Sequence, residues 1–268
     1  MRTIVHLSDL HFGRLDARII APLEERITAI KPHVIAVSGD LTQRARRRQF
    51  QQAAAFLSRL PFPKVIVPGN HDVPLFNVAA RFLDPLGGFR RWISPDIEPA
   101  YVDDEVVVVG LNSARGLITG GRGRLNAAQI EAAAARLRVL PAAPIKVIVT
   151  HHPFDLPEGH DADHLVGRAS IAMRAFAEAG ADLFLAGHLH VSHVGHTADR
   201  YRIAGHSALV VQAGTLSTRG RGELNTFNVL RIGRPEMAIE RYSWQTGSRT
   251  FDQSFAGTFK HTPQGWTA

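Results

Sequence analysis

Five short clusters of metal-binding residue types run along the chain: DLH, GD, GNHD, THH and GHLH. They supply Asp9 and His11, then Asp40, then Asn70, His71 and Asp72, then His151, and finally His188 and His190. A single DLH is usually a strand end and a single GD a turn. Five such clusters in series are harder to dismiss, because stranding that many carboxylates and imidazoles near a core costs several kcal/mol each unless they are paired or bind metal. Asp, His and Asn donors suit divalent ions such as Mn²⁺, Fe²⁺ or Zn²⁺. Seven candidate ligands are too many for one ion and natural for two, and ions ~3.5–4 Å apart are the usual apparatus for displacement at phosphorus. Two divalent ions, two aspartates and a shared hydroxide leave the centre at about +1, which attracts a phosphate anion.

Each cluster follows a short apolar run: TIVHLSDLH (3–11), VIAVSGD (34–40), KVIVPGNHD (64–72), KVIVTHHP (146–153) and DLFLAGHLH (182–190). The runs lack polar alternation, so they read as strands buried on both faces. Helical patterns separate them at Ala17–Ile30, Arg47–Leu60, Asn126–Leu140 and Ile171–Ala179, the third with Asn126 as N-cap and Pro141 as its stop. Strand–helix alternation argues for an α/β sandwich. Further strands at 101–113, 209–214, 227–232 and 236–244, with few helices between them, imply a second, more antiparallel sheet. In open α/β sheets ligands bind beyond the carboxyl ends of the strands, where every cluster sits. In an extended segment residues two apart project to one side, so Asp9 would converge with His11 and His188 with His190. Gly39, Gly69 and Gly187 precede Asp40, Asn70 and His188, where close backbone approach is needed.

The chain has 268 residues, 45% hydrophobic and 21% charged, ordinary values for a globular protein. No linker or repeat stands out, and 1–268 is expected to form one domain. There is no cysteine, which excludes disulfides and thiolate metal sites. No apolar stretch approaches the ~20 residues of a membrane span. The start, MRTIVHLSDLHFG, is too short and polar for a signal peptide, so a cytoplasmic protein is expected. The net charge is +7, but the arginines are dispersed apart from RARRR at 44–48. A nucleic-acid partner is therefore less favoured than a small anionic one. A homo-oligomer is compatible with the sequence.

The ordered series D-x-H, GD, GNH[DE], H, GHxH resembles the signature of the calcineurin-like metallophosphoesterases, and it covers about two thirds of the chain. That resemblance implies a four-layer αββα sandwich with two mixed sheets and a dinuclear centre at strand C-terminal ends. It assigns Asp9, His11 and His190 to one metal, and Asn70, His151 and His188 to the other, with Asp40 bridging. His71 would lie at the substrate phosphate, as proton donor to the leaving oxygen or stabiliser of charge, and Asp72 would orient it. Gln43 stands where purple acid phosphatases have a tyrosine, which disfavours a tyrosinate-bound ferric ion; of Mn²⁺, Fe²⁺ and Zn²⁺, manganese and iron are favoured. The layout is closest to the class III cyclic nucleotide phosphodiesterases and their bacterial relatives.

The implied reaction is attack by a metal-bridging hydroxide on a cyclic nucleotide or similar small diester. The alternatives are a nucleotide-sugar or lipid pyrophosphatase of the UDP-diacylglucosamine type, with Leu75, Phe76, Phe82 and Leu83 receiving an acyl chain, and a DNA nuclease. A non-enzymatic metal-binding scaffold is least favoured. Specificity is expected in three loops, 73–92, 112–126 and 153–168. Arg115, Arg122 and Arg124 are candidates to grip a phosphate, and His152 and His193 to brace the ligands from behind.

Overall fold

A computed structural model describes residues 1–116, 121–141, 144–201, 203 and 206–267. Residues 117–120 of the expected 112–126 specificity loop lie outside this set. The chain opens with β1 (Arg2–Leu7), α1 (Ala17–Ile30), β2 (Val34–Ser38), α2 (Arg47–Arg59) and β3 (Lys64–Val67). The stretch 73–92, expected to be a loop, holds two short helices, α3 (Val78–Leu83) and α4 (Gly87–Trp92). The apolar run near residue 105 is a hairpin, β4 (Ala100–Val102) and β5 (Val106–Gly110). Then come α5 (Ala127–Arg138), β6 (Ile145–Val149), α6 (Ala169–Glu178), β7 (Leu183–Ala186), β8 (His193–His196), α7 (Thr197–Arg200) and β9 (Leu209–Gln212). Four strands close the chain: β10 (Thr226–Ile232), β11 (Glu236–Gln245), β12 (Thr250–Thr262) and β13 (Gly265–Thr267).

One sheet has the order β13-β12-β11-β10-β1-β2-β3, the other β4-β5-β6-β7-β9-β8. Both are mixed. β1, β2 and β3 run parallel, as do β5, β6, β7 and β9, while the flanking strands pair antiparallel. The first sheet draws on both ends of the chain, since β10 returns to pair with β1, whereas the second is built from the middle, β4 to β9.

The two-faced apolar strands follow from three packed layers of side chains. Alternate residues of one strand enter different cores. Ile4, Val34, Ala36, Val65 and Val67 meet Val106, Val108, Val147, Val149 and Leu185 between the sheets. Val5, Leu7, Ile35 and Val37 turn the other way, onto Ile19, Leu23 and Ile27 of α1 and Phe50, Phe56 and Leu57 of α2. Val107, Val109, Ile148 and Phe184 pack on Ile130, Ala134 and Leu137 of α5 and Met173 and Phe176 of α6. Helix, sheet, sheet, helix: this is the four-layer sandwich that the sequence implied. Each such buried side chain contributes ~1.5–3 kcal/mol. Local signals agree with the outcome: Asn126 caps α5 by accepting from the Gln129 amide at 2.8 Å. Among the described residues no helix is long and apolar enough to cross a membrane.

The sheets approach closely at Gly110, where an added Cβ would stand 2.7 Å from Val67 Cγ1 and 3.2 Å from the Pro99 carbonyl. Gly110→Val should overpack this contact and lower stability by about 1–3 kcal/mol. Urea unfolding followed by circular dichroism reads the shift in midpoint, and an unchanged midpoint would mean that the sheets slide apart without cost.

Candidate metal centre

All seven parallel strands except β5 and β9 end in one of the five clusters, and both sheets open at the same end. The side chains meet there, though by a route different from the expected strand alternation. β1 stops at Leu7 and β7 at Ala186, before the clusters begin. Asp9, His11, Asp40, His188 and His190 all take left-handed backbone conformations, with φ of 53°, 44°, 53°, 76° and 60°. Such backbone costs ~1–3 kcal/mol per residue and persists only where the surroundings enforce it. The glycines enforce part of it. A Cβ on Gly69 would collide with the backbone nitrogen and carboxylate of Asp40, and one on Gly187 with Ser8 Oγ and Asp9 Oδ2.

Ligand atoms of Asp9, His11, Asp40 and His190 lie within 4.8 Å of one another. All four residues are buried. His190 Nε2 is 3.1 Å from both His11 Nε2 and Asp9 Oδ1, and His11 Nε2 is 3.6 Å from Asp40 Oδ2. On the other side, His151 Nε2 is 3.0 Å from Asn70 Oδ1 and 3.4 Å from Asp40 Oδ1, while His188 Nδ1 is 3.2 Å from the same Asn70 oxygen. The two oxygens of Asp40 thus face two different groups of donors, an arrangement open to a bridging carboxylate.

Proton positions decide what the groups can hold. His190 Nδ1 donates to the Arg219 carbonyl at 3.0 Å, and His151 Nδ1 to the Ser38 carbonyl at 2.8 Å. Their Nε2 atoms therefore present lone pairs to the carboxylates. Asp9 Oδ1 is buried without a hydrogen-bond donor, although Oδ2 accepts from Ser8 Oγ at 2.6 Å and the His188 amide at 2.9 Å. Lone pairs meeting lone pairs repel unless a cation lies between them, so the donor set fits divalent ions. The electrostatics point the same way. Burial would raise the Asp40 carboxyl, yet His151, His11 and His71 hold it well below the carboxylate range. Burial would lower His151, yet Asp40 and Asp9 lift it to about 9. The pocket calls for positive charge and, without ions, draws a proton.

His152 sits beside this group, with its ring 4.8 Å from that of His151 and 4.6 Å from that of His188. Both its nitrogens are engaged, Nδ1 accepting from Ser113 Oγ at 2.8 Å and Nε2 donating to the Gly121 carbonyl at 2.7 Å. Burial lowers its pKa to about 3, so the ring is neutral, and with both nitrogens taken by protein partners it braces His151 and His188, although its ligand atoms lie close to theirs. His193 pairs with Asp155 at 3.3 Å, and Arg122 with Asp163.

His71 points into the pocket, half-buried, but its expected partner is different. The Nδ1 atom donates to the Gln43 carbonyl at 2.8 Å. Asp72 turns away and accepts from the amides of Gly69, Leu41 and Thr42 at 3.0, 3.2 and 2.8 Å, and from Thr42 Oγ1 at 3.0 Å. The 3-10 turn Asn70–Asp72 sends adjacent side chains apart, so Asp72 ties together the Asp40 and Asn70 loops instead of steering His71. Burial and the nearby Asp40 charge raise the Asp72 pKa to about 6, against the lowering effect of those amides.

Sequence reasoning missed Arg219. Its Nη1 donates to His71 Nε2 at 2.9 Å. Burial lowers the His71 pKa, and the Arg219 and His11 charges push the same way against Asp40. The residue lies in the loop after β9, a parallel strand opening at the same end, so the strand-end rule applied to LVVQAG points to that loop but not to Arg219 itself.

The model of the family described as "Calcineurin-like phosphoesterase" matches residues 2–192. A glycerophosphodiester phosphodiesterase, GpdQ, from Enterobacter lignolyticus is 28% identical over 80 residues, a stretch that is 26% of this chain and 29% of the relative. The match thus spans less than a third of that relative's length. A dimetal phosphatase from Danio rerio superposes with a TM-score of 0.69 at 13% identity, covering 97% of this chain and 99% of the other. A purple acid phosphatase from yellow lupin seeds gives 0.67 at 11% identity, covering 96% and 53%. At these identities the structural likeness is one of fold.

If Asp40 faces both ions, its loss should empty the centre rather than half of it. Asp40→Ala protein loaded with manganese is expected to retain less than one equivalent where the wild type holds about two, as measured by plasma mass spectrometry. Retention of one full equivalent would assign Asp40 to a single ion.

Proposed function

The chain belongs to the calcineurin-like phosphoesterase family, and we propose that within it the protein hydrolyses small phosphodiesters, cyclic nucleotides among them. The observation that carries this reading is the pocket above the donor set. It has a volume of about 530 Å³, and Arg44, Arg81, Arg115, Arg219 and Arg221 stand in its wall. Asp40 is the one carboxylate among the described residues lining it. A wall so charged suits an anion, and the volume leaves room for substituents on both sides of a phosphorus. The partial match to a phosphodiesterase favours a diester over a monoester. With both ends of the chain in the first sheet and the middle of the chain in the second, packed on it through one shared core, we read residues 1–268 as one domain.

In this reading Asp9, His11 and His190 hold one ion, Asn70, His151 and His188 the other, and Asp40 both; manganese or ferrous iron suits these donors. Bound ions would polarise the phosphoryl group and make a water nucleophilic near neutral pH. The chain's own contribution lies opposite. Gln43 fixes the His71 ring with its proton on Nδ1, so Nε2 is left to accept from Arg219. The pair sets a guanidinium in the pocket wall beside the donors, where it can neutralise charge on the departing oxygen. Of the two roles considered for His71, charge stabilisation through Arg219 agrees better with this proton arrangement than direct donation does.

A second reading has one observation in its favour. Leu75, Phe76, Val78, Phe82 and Leu83 are exposed on the segment beside the pocket, Leu83 by 86%. An apolar arm on the substrate, as in a lipid-linked pyrophosphate, would cover them.

Manganese-loaded protein is expected to hydrolyse bis(p-nitrophenyl) phosphate, and inactivity with every divalent ion would end the phosphodiesterase reading. His71→Ala and Arg219→Ala should each keep both metals and lower kcat by about a hundredfold. The double variant should lose little more, since the two act as a unit. Multiplying losses would show that they act separately.

A further inference from the structure

Beside the catalytic pocket lies a second cleft of about 540 Å³, walled by Arg81, Arg115, Arg124, Arg168, Phe82 and Pro85. It shares Arg81 and Arg115 with the first, so one ligand can reach both. No carboxylate lines it among the described residues. Elsewhere the arginines commonly find acids: Arg2 meets Asp103, Arg59 meets Glu24, Arg200 meets Asp155 and Arg234 meets Asp182. Here they do not. Arg115 donates to the carbonyls of Asn112 and Ala114 at 3.0 and 2.8 Å and to Gln129 Oε1, all neutral acceptors. Arg168 gives a long 3.3 Å bond to the Leu125 carbonyl. Among the described residues, neither Arg124 nor Arg168 has an acidic partner. Burial lowers the Arg115 pKa, Glu98 opposes, and the charges of Arg124 and Arg168 push it further down, so the three guanidiniums repel one another.

Arg168 also breaks two local rules. It is the N-cap of α6, where a cation opposes the helix dipole, and its φ is 69°. Asn126, the N-cap of α5, borders the same cleft, so a second helix N-terminus adds its positive end. Three mutually repelling guanidiniums without a direct acidic partner, beside two helix N-termini, form a site that an anion would stabilise.

We propose that this cleft is a second anion subsite, in which Arg115, Arg124 and Arg168 hold a terminal phosphate of the same substrate whose diester lies over the metal centre. The preferred substrate class is then a phosphodiester bearing a further phosphate, with Phe82 and Pro85 against the apolar face of the part between them. The inference rests on the phosphodiesterase reading for its kinetic test but not for its binding test.

Thymidine 5′-(p-nitrophenyl phosphate) and its 3′-phosphorylated counterpart differ only in the terminal phosphate. The manganese-loaded wild type should prefer the phosphorylated compound by about tenfold or more in kcat/KM, mainly through KM. Arg124→Gln and Arg168→Gln, singly and together, should erase that preference while leaving turnover of bis(p-nitrophenyl) phosphate within about twofold. Equilibrium dialysis of the same proteins against labelled sulfate should give two bound equivalents for the wild type and one for the double variant. No preference in the wild type, a preference that survives in the double variant, or equal sulfate binding by both proteins overturns the subsite. Failure of all diesters to turn over would instead overturn the phosphodiesterase reading, and the sulfate result would still decide the cleft.

Discussion

The structure depends on a set of buried lone pairs that no proton inside the chain can satisfy. His151 and His190 each commit their Nδ1 proton to a backbone carbonyl, Ser38 and Arg219 respectively. That leaves their second nitrogens turned toward Asp40 and Asp9, with Asn70 Oδ1 wedged between His151 and His188. Acceptors gathered in a low-dielectric place cost several kcal/mol, and five left-handed residues add backbone strain to that. The three apolar cores hold such an arrangement in place, and a pair of cations makes it favourable.

The same residues bind the two sheets to each other. The His188 amide, after β7, donates to Asp9 Oδ2, after β1. His151, after β6, donates to the carbonyl of Ser38, the last residue of β2. Gly187 lies against Ser8 and Asp9 closely enough to exclude any side chain. Hydrogen bonds that close the sandwich thus run through the candidate ligands. Ion binding should accordingly stabilise the whole fold, as any ligand specific to the native state does.

The layers were legible because their signal is local. VIAVS and KVIV carry apolar residues on both faces, and α1 begins and ends where the periodicity does. Other elements have no local signal. β12 spells TFDQSFAGTFKHT, half of it exposed, and its place comes from its long register against β11. β8 is four residues, HVGH, and exists because β9 offers it an edge. In the site, the residue types announced the metal centre, but strand alternation is the wrong reason for their convergence: left-handed turns achieve it. Asp72 adjoins His71 in sequence, and only the 3-10 turn reveals that it serves the backbone. Arg219 was hidden because its loop is placed by contacts 206 residues away, where Thr215 Oγ1 donates to the Asp9 carbonyl at 2.8 Å.

Arg219 also shows how one residue can serve both the generic and the particular part of such a site. Its carbonyl fixes the tautomer of His190, a task any amino acid could perform. Its guanidinium meets His71 in the pocket wall, a task for arginine alone. The floor recognises a phosphoryl group and nothing else about the substrate, so relatives of the same fold can differ in what they cut. Selectivity must then reside in the walls, where Arg44, Arg81, Arg115 and Arg221 stand on loops and short helices free to vary without disturbing the donors. This separation explains why the metal clusters identify a family so readily and its substrate so poorly: the donors answer to the ions, whereas each wall position answers only to the part of the substrate that touches it.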